Sequence, residues 1–161
     1  RNTNLPLDVH LMIDNPAFYI PAFADAGADI LTFHYELHYK HKPMEMIKMI
    51  KDKGVKAAIS VNPDTEPEGL EEFLPYLDMV LIMSVFPGFG GQSFIPSALD
   101  KIKKVKAMAD AAGRQIDIEV DGGITLANIG SVLEAGANVI VAGTTVFRAD
   151  NPAEAIRGLR G

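Results

Sequence analysis

Short apolar runs alternate along the whole chain with amphipathic segments, and glycine, proline or asparagine separates them. Residues 7–13, Leu-Asp-Val-His-Leu-Met-Ile, alternate as a half-buried strand does and stop at Asp14-Asn15-Pro16. Pro16 suits the first position of a helix after an Asn15 cap, which predicts a helix over 17–26 stopped by Gly27. A second strand is expected over 29–34. A helix follows over 43–53, with Met44, Ile47 and Ile50 at helical spacing and Gly54 as its stop. The same reading gives a strand over 55–61, a short helix over 69–76 carrying Leu70, Phe73 and Leu74, and a strand over 79–85. The last of these is apolar almost throughout, as a strand covered on both faces is. A helix over 96–112, a strand over 116–121, a helix over 126–135, a strand over 139–142 and a helix over 152–159 complete the chain.

The order is strictly alternating β and α, six units at about 25-residue spacing with a longer fourth unit. Ala26-Gly27-Ala28-Asp29-Ile30 is echoed by Ala135-Gly136-Ala137-Asn138-Val139, each placing a helix-stopping glycine before a strand. Alternation of this kind means an α/β fold with a parallel sheet, either a (β/α) barrel or a doubly wound sheet. A barrel is favoured because chemically useful residues stand at the C-terminal ends of several different strands. Such a barrel has eight strands, so residues 1–161 are expected to form a single partial TIM-barrel domain. The opening Arg1-Asn2-Thr3-Asn4 has no initiator Met and runs almost at once into a strand, as a cut from something longer would.

Composition narrows the chemistry. At 48% hydrophobic and 22% charged residues, the chain is that of an ordinary globular protein. No apolar run reaches the roughly 20 residues that span a bilayer. Zero cysteines remove disulfides and thiolate metal sites and agree with a cytoplasmic setting. Any metal must then be held by histidine and carboxylates. A net charge of −6 argues against nucleic acid or an anionic membrane as partner, but leaves room for a phosphorylated small molecule.

Candidate chemistry gathers at strand ends. Ile118-Glu119-Val120-Asp121-Gly122-Gly123-Ile124 delivers a carboxylate at the end of a buried strand and into a glycine turn, which makes Asp121 the central group. His10 and Met12, two apart on the first strand, face the same way; alone, His10 reads as a hydrogen-bonded core histidine or as a ligand. His34 ends the second strand with Glu36 just beyond, and His38 and His41 lie in a polar loop over 35–42 that reads as solvated. The loop Phe86-Pro87-Gly88-Phe89-Gly90-Gly91-Gln92-Ser93 has three glycines in four positions, which lets amides approach an anion or lets the loop turn freely. Asp121-Gly122-Gly123 and Ala142-Gly143-Thr144-Thr145 follow the last two strands, where barrels place phosphate sites. His10 and Asp121 are the good metal-ligand candidates, and two side chains do not complete a site.

Together these motifs resemble ribulose-phosphate 3-epimerases. The stretches that carry the resemblance are 7–12, Thr32-Phe33-His34, 81–85, Pro87-Gly88-Phe89-Gly90-Gly91-Gln92-Ser93-Phe94, 118–123 and Ala135-Gly136-Ala137-Asn138. The resemblance implies a ribulose-phosphate-binding (β/α)8 barrel, here its last six units, strands 3–8. It implies interconversion of D-ribulose 5-phosphate and D-xylulose 5-phosphate in the pentose phosphate pathway by metal-assisted, two-aspartate proton transfer at C3. By that resemblance Asp121 is a catalytic aspartate and metal ligand, and His10 is a metal ligand that also touches substrate. Met12 and Met83 line the reacting carbon, and Gly88, Phe89, Gly90, Gly91, Gly122, Gly123, Gly143 and Thr144 hold the phosphate end. The cofactor implied is one divalent cation, Zn, Fe, Mn or Co, with two of its usual ligands absent from this chain. The family pattern places a substrate-binding serine, a metal-binding histidine and the other catalytic aspartate in a preceding segment. Phe86 stands where a polar residue is usual, Thr144 where serine is usual, and the polar loop over 37–42 looks lengthened.

Epimerisation needs acid–base groups on opposite faces of the carbon, and Asp121 can serve one face only. The full-length parent is therefore expected to be active and the 161-residue piece by itself inactive. The other readings are a neighbouring epimerase, such as one acting on allulose 6-phosphate, or a non-catalytic phosphate-binding fragment. A sheet with two open edges and an exposed apolar interior is further expected to form homo-oligomers.

Overall fold

The structure, a computed structural model, describes residues 3–160; the Arg1-Asn2 start lies outside them. Six strands form one parallel sheet in chain order: β1 (Asp8–Leu11), β2 (Ile30–His34), β3 (Lys56–Val61), β4 (Met79–Met83), β5 (Asp117–Asp121) and β6 (Val139–Val141). Between and after them run α1 (Pro16–Asp25), α2 (Pro43–Asp52), α3 (Ala98–Ala111), α4 (Ile129–Ala135), the single turn α5 (Thr144–Phe147) and α6 (Pro152–Leu159). The sheet and helices are those of a (β/α)8 barrel that is two strands short among the described residues. No helix there is long and apolar enough to cross a membrane.

Register separates two functions of the sheet. One set of rows, Leu11–Phe33–Ile59–Val80–Ile118 and Val61–Ile82–Val120–Ile140, faces the helices. Apart from the partly buried Ile140, which packs against it, these residues join Ile20, Ile47, Ile50, Ile102, Val105 and Val132 in the main apolar core. The other rows, His34–Ser60–Leu81–Glu119 and Met83–Asp121, face the barrel interior. All the chemistry that the strands carry lies on this second face.

The sheet is strongly curled. His10 on β1 comes within 4.0 Å of Asp121 on β5, and Asp8 hydrogen-bonds Glu119 on the same two strands. Strands four apart in an eight-stranded barrel stand opposite one another, so the six strands already follow barrel curvature. The expected exposure of the apolar interior is accordingly not seen along β4, where Met79, Leu81 and Met83 are each 1% exposed. The β6 edge is more open, with Val141 exposed.

Several elements depart from the sequence pattern for local reasons. The helix expected over 69–76 is instead two short 3-10 turns, Pro67–Leu70 and Leu74–Tyr76. Pro75 has no amide to donate and its ring opposes the carbonyl four residues back, which disfavours a continuous α-helix over so short a segment, although the longer α1 accommodates Pro21. Leu70, Phe73 and Leu74 are buried all the same. Asn15 stands at the N-cap of α1 without a side-chain capping bond, whereas Asn151 caps α6 by accepting from the Glu154 amide at 3.3 Å. α4 starts three residues later than expected because Asn128 folds the preceding turn, accepting from the Thr125 amide at 2.8 Å and donating to the Gly123 carbonyl at 3.0 Å. The polar loop over 35–42 contains a 3-10 turn, Tyr35–Tyr39.

Candidate active site

Carboxyl-terminal strand ends and the loops after β4, β5 and β6 enclose a cleft of about 670 Å³. Met12, Met83, the glycine loop 88–91, Asp121, Gly122, Gly123, Gly143 and Thr144 all line it. Every residue that the resemblance assigns to the site except His10 therefore opens on one cavity, and His10 stands beside it, 4.0 Å from Asp121. Met83 is buried at the base, Met12 is half exposed at the side and Phe89 stands out from the rim.

The rim is held by specific bonds. Ser84, just after β4, donates its hydroxyl to the carbonyls of Asp121 at 3.0 Å and Gly122 at 2.6 Å, and its amide donates to Asp121 at 2.9 Å. Gln92 pins the glycine loop by donating to the carbonyls of Phe86 at 2.8 Å and Phe89 at 2.9 Å. Thr145 in α5 donates to the Ile124 carbonyl, which joins the last two turns. Gly122 and Gly123 have φ of +125° and +62°. A Cβ on Gly122 would collide with the Val85 side chain, and one on Gly123 with the Phe94 backbone. Both positions need glycine because the turn after β5 threads beneath the glycine loop.

Electrostatics divide the interior into layers. Burial pushes the Asp121 carboxyl above its ordinary value, which suits a group that takes up and gives back a proton. His10 is brought down to about 4 by burial and then by neighbouring His34, so it is neutral at physiological pH. Two residues toward the strand starts, desolvation raises both Asp8 and Glu119, and Asp8 and Asp121 raise Glu119 further. Two carboxyls joined by a hydrogen bond share a proton, so this pair adds less than two negative charges beneath the site. Glu36 shows the opposite balance: burial works against its charge, but hydrogen bonds from His34, the Asn62 amide and Thr65 outweigh it and bring it down to about 2.

Residues the sequence reading left without a role thus surround His10. His34 and Glu36 form a bonded pair behind it, and Asp8 and Glu119 lie below. Asp8 and Glu119 carry a sequence signal, since each stands two residues before a chemical group and must share its face. His38 and His41 bond the Tyr35 and Asp14 carbonyls, away from the cleft. Among the described residues no three or more His, Asp or Glu side chains converge as a metal site. His10 and Asp121 alone do not fit the implied cation, which needs further donors.

A parallel barrel sheet with a raised-pKa carboxylate at a strand end and glycine turns around its mouth has the site architecture of a barrel enzyme. The Ribulose-phosphate 3 epimerase family model matches residues 1–147. The chain is 51% identical over 161 residues to the ribulose-phosphate 3-epimerase of Bacillus subtilis (strain 168), covering 99% of this chain and 73% of the relative. It is 49% identical over 158 residues to the chloroplastic ribulose-5-phosphate-3-epimerase of Arabidopsis thaliana, covering 98% of this chain and 56% of that protein. This chain belongs to the ribulose-phosphate 3-epimerase family, a family of isomerases. Such relatives do not favour an allulose-6-phosphate epimerase or a non-catalytic remnant. Solved structures agree on the fold. A 3-hexulose-6-phosphate synthase superimposes with a TM-score of 0.64 at 22% identity, over 95% of this chain and 70% of that one. KGPDC from Streptococcus mutans gives 0.66 at 18% identity, over 89% of this chain and 64% of that one.

Two outcomes check this geometry. Gly123→Ala is expected to destabilise the protein by roughly 2 kcal/mol or more, while Gly90→Ala, with open space around it and no positive φ, stays within about 0.5 kcal/mol. Equal urea midpoints for the two variants would contradict it. For Glu36, a folded pKa near 2 against an ordinary 4.5 means its stabilisation is complete above pH 4.5 and is lost as pH falls toward 2. Glu36→Gln should therefore cost roughly 1–3 kcal/mol at neutral pH, with the gap from the parent closing below pH 4.5. A gap independent of pH in acid unfolding curves would refute this.

Proposed function

We propose that Asp121 is one of the two acid–base groups that interconvert D-ribulose 5-phosphate and D-xylulose 5-phosphate at C3. The observation that supports this most strongly is its placement: a partly buried, raised-pKa carboxylate at the end of β5, 4.0 Å from His10, opening on the glycine-rimmed cleft. The phosphate of the ketopentose binds at the rim, where the turns at 88–91, 122–123 and 143–144 offer backbone amides. The carbon chain then runs down past Met12 and Met83, whose thioethers give the reacting carbon a dry, adaptable wall.

Asp121 takes the C3 proton from one face. The C–H electron pair passes into the C2–C3 bond as the C2 carbonyl becomes an enediolate oxygen. A proton returned to the opposite face of C3 reverses that flow and inverts the centre. The second proton comes from another group, an aspartate by the family resemblance, because Asp121 is the one carboxylate among the described residues lining the cleft. A divalent cation would supply charge stabilisation for the enediolate, and His10 and Asp121 are two donors toward it, short of a complete set.

Turnover of D-ribulose 5-phosphate by the full-length gene product should fall about 10²–10⁴-fold in kcat for Asp121→Asn, with KM changed far less. Parental turnover in that variant would reject the assignment of Asp121.

A further inference from the structure

His34 ends β2 almost fully buried, and the proton transfers above make no use of it. Its Nε2 lies 2.8 Å from Nε2 of His10, and its Nδ1 lies 3.2 Å from Oε2 of Glu36. The two imidazole centroids are 4.8 Å apart with planes 23° from parallel. Because the facing nitrogens are far closer than the centroids, the rings meet edge to edge, with an N–H aimed at a lone pair. On its other side His10 turns Nδ1 toward Oδ2 of Asp121 at 4.0 Å. Four side chains thus form one line, Asp121–His10–His34–Glu36, running from β5 across the interior to β1 and on to the end of β2.

A nitrogen-to-nitrogen contact of this length holds one proton and one lone pair. Glu36 decides which ring supplies which. As an ionised carboxylate it only accepts, so the proton at its junction sits on Nδ1 of His34. In the neutral pair, Nε2 of His34 is then bare and must accept from Nε2–H of His10. A neutral imidazole protonated at Nε2 is bare at Nδ1, and that is the atom His10 presents to Asp121. We propose that His34, oriented by Glu36, is a positioning residue that fixes His10 in its Nε2–H tautomer and so places the Nδ1 lone pair beside Asp121.

The tautomer matters to the carboxylate. An Nδ1–H turned toward Asp121 across 4.0 Å would favour its ionised form and weaken it as a base. A bare Nδ1 leaves both oxygens of Asp121 open and sets a second electron-pair donor next to them. Partners of this kind, behind a functional histidine, are how ring orientation and tautomer are commonly set. The consequence for turnover rests on the assignment of Asp121 above, whereas the tautomer is read without any turnover, so either can fail alone.

Long-range proton–nitrogen correlation spectra of the 15N-labelled protein at pH 8 read each ring nitrogen, with His10 and His34 assigned from the spectra of His10→Gln and His34→Gln. The expected spectrum has His10 protonated at Nε2 and bare at Nδ1, with His34 the reverse. In His34→Phe, which keeps a ring but removes the acceptor, His10 should relax to a mixture of tautomers. In His34→Gln the amide oxygen can again accept from Nε2–H, and the single tautomer should return. His10 protonated at Nδ1 in the parent, or an unchanged tautomer in His34→Phe, would overturn the proposal. Should His34→Phe fail to fold, the parent spectrum decides alone.

Discussion

The meeting of β1 and β5 across the interior is the contact on which the rest depends. In a flat sheet these strands would lie about 19 Å apart, four strand spacings at the usual separation. Here Asp8 hydrogen-bonds Glu119, and one level up His10 approaches Asp121 to 4.0 Å. Both ties use residues two apart on each strand, so one curvature and one register produce them together. That curvature also covers the inward side chains of β4 without the strands that would complete the barrel.

Division of labour between the two sheet faces follows. The helix-facing rows are aliphatic and supply the driving force for folding through the removal of apolar surface from water. The interior rows carry what such a core could not tolerate unpaired: buried Glu119 with Asp8 at the more open start of β1, then His10, His34 and Asp121, then the glycine turns. The groups around the site are matched to neighbours, whereas the buried Thr32 hydroxyl on the same face has no hydrogen-bond partner. The carboxyl pair shares a proton, His34 is held by Glu36, and Ser84 and Gln92 bind the loop carbonyls that a glycine-rich rim would otherwise leave loose.

Periodicity made the strands and most helices legible, since apolar alternation reports which face a residue takes. It failed over 69–76, where a hydrophobic stripe survives but Pro75 denies the helix its hydrogen bonds. The cleft was legible too, because glycine turns after consecutive strands all open at one end of a parallel sheet. His34 and Glu36 were not. Their importance lies in contacts between different strands, 24 residues apart for His10 and His34, and nothing in a single sequence fixes ring orientation. Asp8 and Glu119 stood in plain view on the right faces, but their pairing depends on how far the sheet curls.

A double-mutant cycle across that curl is the most direct test. Urea unfolding of Asp8→Ala, Glu119→Ala and the double variant gives the coupling between strands four apart. A coupling of about 0.5–3 kcal/mol is expected, as for side chains in contact. Additive effects, with a coupling indistinguishable from zero, would mean that β1 and β5 do not meet and that the site is not built as described.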